Sequence, residues 1–191
     1  MHQAEHVLSR MGFRGPKKIG RITGGQPINT IIRQKPGAGD RIKQGAPVIL
    51  YFEAEPVNVP GVIGMERMSG IRLLRNKRLI VEDIQERITG RGPAGTIIDQ
   101  TPRAHATVPA GSGISLVVEA PSVIVPQLRG RDIRQARQEI LGCRLRVGRV
   151  SETITGRSPA GSVVNQSPGG GTRVKPDTSV SLTIEAESVV M

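Results

Sequence analysis

Arg91 and Arg157 share one local setting, Thr-Gly-Arg followed one residue later by Pro-Ala-Gly. A guanidinium at such a turn can hold a carboxylate or phosphate through two parallel N–H bonds, and a solvated turn arginine has the same sequence. Gln100 and Gln166, with Gln34 as a third, stand two residues before a proline at expected strand ends. An amide there either binds a ligand amide or satisfies loop backbone groups, and the residue type leaves both open. Arg129, Arg131, Arg134 and Arg137 form the densest basic run, around an expected helix start. That placement opposes the helix dipole and so points to an acidic partner. The candidate ligand residues are therefore Arg91, Gln100, Arg157, Gln166, Arg131 and Arg134. His2 and His6 are four apart, a spacing that puts both on one helical face, but near a chain end they read as exposed residues and no metal site is expected. The sequence has no Gly-x-Ser-x-Gly, no phosphate loop ending in Gly-Lys-Ser/Thr and no zinc-protease His-Glu pair. We expect no enzyme activity and no cofactor.

The residues that must position these groups are unusual in composition. Aromatic side chains are limited to Phe13, Tyr51 and Phe52, so a core has to come from Ile, Val and Leu, and stacking platforms for sugars or bases are nearly absent. Twenty-seven Lys and Arg against 16 Asp and Glu give a net charge of +11, which favours polyanions. Nucleic acid is disfavoured as a partner, because charge permits it but no recognition motif accompanies the charge. The single cysteine, Cys143, rules out an intrachain disulfide framework. No apolar run approaches the ~18 residues that cross a bilayer, and no secretory leader opens the chain, so no membrane insertion by these residues is expected.

The strongest feature is an internal repeat of 66 residues. Val57-Asn58-Val59-Pro60 falls on Val123-Ile124-Val125-Pro126, Gly64 on Gly130, and Gln100-Thr101-Pro102 on Gln166-Ser167-Pro168. Ile22-Thr23-Gly24, Gln34-Lys35-Pro36 and Glu53-Ala54 extend the match into the first third. The expected domains are residues 1–56, 57–122 and 123–187, with net charges of +5, +2 and, through residue 188, +4. The first copy lacks the opening Val-x-Val-Pro-x-x-x-Gly. Residues 188–191 have the sequence of the start of a fourth copy.

Within the third copy, Val123-Ile124-Val125 reads as a short strand stopped by Pro126. Asp132 with Gln135 resembles a capping box, and Ile133, Ala136, Ile140 and Leu141 share one helical face before Gly142 as a stop, giving a helix over about 132–141. Alternation at Leu145 and Val147, the β-branched run Ser162-Val163-Val164, and alternation at Val180, Leu182 and Ile184 predict three strands. The fold class is thus α+β, a linear array of three small β-α-β-β-β units, the first without its opening strand.

These residues resemble the PASTA domain, the small module of bacterial penicillin-binding proteins and membrane serine/threonine kinases. The resemblance lies in Val-Pro-x-x-x-Gly at Val125 to Gly130, a helix containing Ala136, Pro159 to Pro168, and the closing strand Val180 to Ile184. Thr101 to His105, where a Gly-rich turn is usual, and Pro27-Ile28-Asn29 in place of Pro-Ala-Gly depart from the pattern. The resemblance implies a bacterial extracellular or cell-surface location and binding of peptidoglycan or an anionic wall polymer, as an anchoring or sensing array. The alternative is a filament subunit: Val189, Val190 and Met191 of one chain would take the place of the first strand in the next, a head-to-tail contact that builds open fibres.

Overall fold

The computed structural model describes residues 2–13, 15–43 and 45–187. The first copy contains α1 (His2–Arg10), β1 (Lys17–Arg21), β2 (Ile31–Lys35) and β3 (Ile49–Glu53). The second contains β4 (Pro56–Asn58), α2 (Arg67–Asn76), β5 (Ile80–Arg87), β6 (Ile97–Thr101), β7 (Thr107–Pro109) and β8 (Gly113–Glu119). The third contains β9 (Val123–Ile124), α3 (Ile133–Gly142), β10 (Arg146–Thr153), β11 (Val163–Ser167), β12 (Arg173–Val174) and β13 (Ser179–Glu185). The architecture is α+β and repeats. Each copy has a three-stranded sheet with its last strand in the middle, in the orders β1-β3-β2, β5-β8-β6 and β10-β13-β11. In the first and third sheets the central strand runs parallel to one neighbour and antiparallel to the other. Contacts group the chain into two compact units, residues 1–85 with 99–117 and residues 86–98 with 118–191.

One element has no signal in the sequence. The two-residue strand β12 pairs antiparallel with β9, and β7 pairs with β4 in the same way. These ribbons dock the opening segment of the second and third copies. In the first copy, residues 41–43 occupy the repeat position of β7 and β12 but form no strand. A strand that short exists only while a partner satisfies its backbone groups.

Both well-defined helices start at an acidic cap. The Asp132 carboxylate accepts from the Arg134 N–H at 2.8 Å, and Glu66 accepts from the Met68 and Ser69 N–H groups, both at 2.9 Å. The end of α3 differs from the expected stop: the helix runs through Gly142, Cys143 is the C-cap, and the left-handed residue is Arg144, with φ 58°. Arg78 holds the same position after α2 at φ 60°, and the first copy has Gly12 there. The helix ends where Leu145 must turn back into the core, and that constraint overrides the preference for glycine.

In the third copy the core is Val125, Leu128, Ala136, Ile140, Leu145, Val163, Val180 and Leu182. The repeat-equivalent residues of the second copy, Val59, Val62, Gly70, Leu74, Leu79, Ile97, Ile114 and Leu116, are all buried as well. In the first copy Val48 and Leu50 are buried, whereas Ala4, Leu8, Phe13 and Ile31 are only half-buried.

Each copy also buries one carboxylate, Glu53, Glu119 or Glu185, at 2–3% exposure. The Glu185 carboxylate accepts from the Thr155 hydroxyl, from the Thr155 N–H at 2.5 Å and from the Gly156 N–H at 2.8 Å. Glu119 receives the same three donors from Thr89 and Gly90, and Glu53 from Thr23 and Gly24. A buried carboxylate is tolerated when its oxygens are this fully bonded. The threonine hydroxyl is the main cause that lowers the carboxyl pKa in all three copies. At Glu119 the value falls from 4.5 to about 2.

Two tests follow from this geometry. Left-handed backbone costs a non-glycine residue about 1–2 kcal/mol, against roughly 0.5–1 kcal/mol of extra chain entropy for glycine. Arg144→Gly is therefore expected to raise the unfolding free energy by about 0.5–1 kcal/mol in denaturant titration, and a loss of stability would contradict the strain. For Glu119, a pKa lowered on folding means that its contribution is complete above pH 4.5 and is lost as pH falls towards about 2. Carbon-detected NMR of the Glu119 carboxyl should give a midpoint near 2, and the Thr89 amide signal should move with it; a midpoint at the ordinary glutamate value would break the assignment.

Candidate functional site

The carboxylate of Glu185 fixes the loop Thr155-Gly156-Arg157, and Arg157 closes it by donating its N–H to the Thr155 hydroxyl oxygen at 3.2 Å. On the other side, Leu128 is fully buried and its N–H donates to the Gln166 side-chain oxygen at 2.7 Å. The next turn is stitched to β11: the Gly130 N–H reaches the Val163 carbonyl at 2.8 Å, and the Val163 N–H reaches the Arg131 carbonyl at 2.9 Å. Arg129 is held between these anchors. Arg129 and Arg157 line a cleft of about 490 Å³ whose floor is made by Thr153, Asn165 and Thr183 from the three strands of the third sheet, with Asn165 opposite Thr183. Among the described residues that line it there is no carboxylate. Two guanidinium groups above hydroxyls and an amide make a setting for a carboxylate or phosphate carried on a polar body.

The second copy carries Ile63, Arg91, Asp99 and Val117 at the positions of Arg129, Arg157, Asn165 and Thr183. One arginine is lost and an acid is gained, so the second copy does not repeat the pair of arginines. The first copy has Arg33 and Tyr51 at the positions of Asn165 and Thr183, and the Arg21 and Arg33 guanidinium carbons lie 5.6 and 5.9 Å from the Tyr51 ring centre.

The candidate residues do not gather in one place. Arg157 lines the cleft, and Arg91 holds the matching position in the second copy, exposed, with its N–H on the Thr89 hydroxyl oxygen at 3.3 Å. Arg131 is exposed, with its Nε 3.4 Å from Glu139, and Arg134 is exposed on the first turn of α3. Gln100 and Gln166 face inward. The Gln166 side chain donates to the Pro126 and Pro168 carbonyls at 3.0 and 3.1 Å while accepting from Leu128. Gln100 donates to Pro60 and Pro102 at 3.1 and 3.2 Å and accepts from Val62 at 2.8 Å. Each amide braces the opening segment of its own copy. Val189, Val190 and Met191 lie outside the described residues. Asn165, Thr153 and Thr183 escaped sequence reasoning because they are separated along the chain; the available signal was the Asp99-to-Asn165 change between matched positions.

The PASTA domain family matches residues 57–120 and 123–186. Among curated relatives, the probable serine/threonine-protein kinase PknB of Corynebacterium glutamicum is 29% identical over 159 residues, which is 81% of this chain and 24% of that protein. The probable serine/threonine-protein kinase CE0033 of Corynebacterium efficiens is 31% identical over 161 residues, again 81% and 24%. The chain thus spans about a quarter of the length of these relatives. Among solved structures, the three-PASTA-domain of a Ser/Thr kinase from Staphylococcus aureus is 22% identical with a TM-score of 0.37, covering 97% of this chain and 94% of that one. Because the two family matches cover more than half of the sequence, at the copies defined by the 66-residue repeat, the chain belongs to the PASTA domain family.

Proposed function

We propose that this chain is a non-catalytic, extracytoplasmic PASTA segment of a bacterial cell-surface protein that binds peptidoglycan or another anionic wall polymer. The observation that carries the reading is the third-copy cleft, which Arg129 and Arg157 both line with no carboxylate among its described lining residues. Its hydroxyl and amide floor suits the polar body of a glycopeptide, and its charge suits the free carboxylates of such a chain. The net charge of +11 adds a long-range field that gathers polyanions without choosing among them. Family membership supports a binding module rather than a catalyst. In this reading the module boundaries fall near residues 56 and 122, and the third module does most of the ligand binding.

The test is calorimetry or NMR titration of the whole chain with a soluble wall fragment bearing free carboxylates, at low and physiological salt. A charge-assisted hydrogen bond is worth roughly 1.5–3 kcal/mol when shielded and less at an exposed site, so Arg157→Ala should weaken binding about tenfold, and the Arg129→Ala, Arg157→Ala pair more. Arg91→Ala should change affinity far less. Screening over a Debye length of about 8 Å at physiological ionic strength should lower the affinity visibly. Tight, salt-independent binding of a neutral sugar, or binding indifferent to both arginines, would sink the proposal.

A further inference from the structure

The three sheets share a frame but not an outer face. In the first copy, alternation along β1 and β2 puts the cations Lys17, Arg21, Arg33 and Lys35 on the side that carries Ile49 and Tyr51 of β3. Register sets them in rows: Ile49 lies between Lys17 and Lys35, and Tyr51 between Ile19 and Arg33. The opposite side holds buried Leu50, and Lys18, which bonds Glu5 of α1 at 2.6 Å. Where this face has Lys17, Arg33 and Tyr51, the second copy has Asp83, Asp99 and Val117 and the third has Arg149, Asn165 and Thr183. The face is open in the third copy too, beside a complete opening segment, with Ser151, Asn165 and Ser167 exposed, so that exposure is a property of the sheet.

The first-copy face is cationic without compensation. Lys17, Arg21, Arg33 and Lys35 are exposed, and none has a carboxylate partner among the described residues. The one acid within these strands, Glu53, is buried and bonded to Thr23 and Gly24. Strands lie about 4.8 Å apart and rise about 3.4 Å per residue, so the cations of β1 and β2 stand roughly 10 Å apart across β3, and Arg33 and Lys35 about 7 Å apart along β2. The Tyr51 ring holds the Arg21 and Arg33 guanidinium groups by cation–π attraction, at 5.6 and 5.9 Å. Thus occupied, it is not a free platform for stacking a sugar or a base. Ile19 and Ile49 offer no hydrogen bond to a polar body. Recognition on this face is therefore by charge, and forked arginines beside point-charge lysines are the set that suits phosphate.

We propose that this face binds a linear phosphodiester polymer without bases, such as a glycerol-phosphate chain, with successive phosphates on the four cations. Tyr51 is a positioning residue that fixes two guanidinium groups ahead of binding. The face shares no residue with the third-copy cleft, so the inference stands whether or not that cleft takes carboxylates.

The probe is a short synthetic glycerol-phosphate polymer, titrated into the full chain and followed by NMR at several salt concentrations. We expect saturable shifts of the Arg21 and Arg33 guanidinium signals and the Tyr51 ring, and, at about 0.7 per phosphate contact, a log–log salt slope near −3. Arg33→Gln with Lys35→Gln should weaken binding about tenfold and flatten that slope by roughly 1.4. Tyr51→Phe keeps the ring and should bind as the unchanged protein does. Tyr51→Thr should weaken binding about threefold with the salt slope kept, because the charges remain and only their platform is lost. Arg75→Ala, an exposed charge on α2, should leave the affinity nearly as it is. Absence of shifts on the first sheet, or full binding by the Arg33, Lys35 double variant, would overturn the proposal. So would a Tyr51→Phe loss as large as that of Tyr51→Thr, tighter binding of an oligothymidylate or a carboxylate polymer of equal charge, or capture by phosphatidylglycerol vesicles without binding of the soluble polymer.

Discussion

A buried carboxylate organises each repeat. Glu53, Glu119 and Glu185 end the central strand of their sheets and turn inward, where an ionised group survives only with its oxygens bonded. The donors come from one loop about thirty residues earlier: a threonine hydroxyl and two successive backbone N–H groups. That single arrangement ties the loop between the first two strands of the sheet to the end of the third. It also explains why Thr-Gly recurs while the residue after it varies among Gly25, Arg91 and Arg157: the acid needs the threonine and the following N–H, and leaves the next side chain free to face solvent. What lines the outer face can then diverge between copies without disturbing the frame.

The second constraint is closure of the apolar core by the opening segment. A unit of 66 residues has little core to spare, and domains near that size bury only about 60% of their unfolded surface. Two aliphatic side chains from the opening segment complete that core where they are present, and the glutamine amide brings in their backbone without leaving polar groups unpaired. The first copy keeps the same frame in its described residues. Its strands β1, β2 and β3 keep the repeat order, and Glu53 keeps the same carboxylate lock. Its residues 41–43, at the repeat position of β7 and β12, form no strand.

Copies with a common frame differ in what they present. The third offers arginines over hydroxyls, the second mixes an arginine with Asp99, and the first sets Tyr51 between Arg21 and Arg33. Such divergence on one face of a repeated scaffold is how an array gains different contacts from one module to the next while stability stays a sum of similar units.

Much of this was legible in the residues. The pattern read in the third copy placed α3 and strands at β10, β11 and β13, because amphipathic alternation and β-branched runs are local properties that tertiary packing here reinforces. The ordered motifs from Val125 to Ile184 were enough to name the family, since turn glycines and prolines sit where the backbone needs them. Glu53, Glu119 and Glu185 recur visibly, but nothing in a strand pattern says that an acid will face inward; the loop that satisfies it lies about thirty residues away. The recurrence of Gln100 and Gln166 before a proline allowed a brace or a ligand residue, and only folding brings Val62 and Leu128 to their side-chain oxygens. The helix stop at Arg144 rather than Gly142 was set by the need to return Leu145 to the core. The cleft joins Arg129, Thr153, Arg157, Asn165 and Thr183 from separate segments. Sequence determines local periodicity and the repeat; which polar groups meet across the chain is decided by packing, because burial makes each of them find a partner.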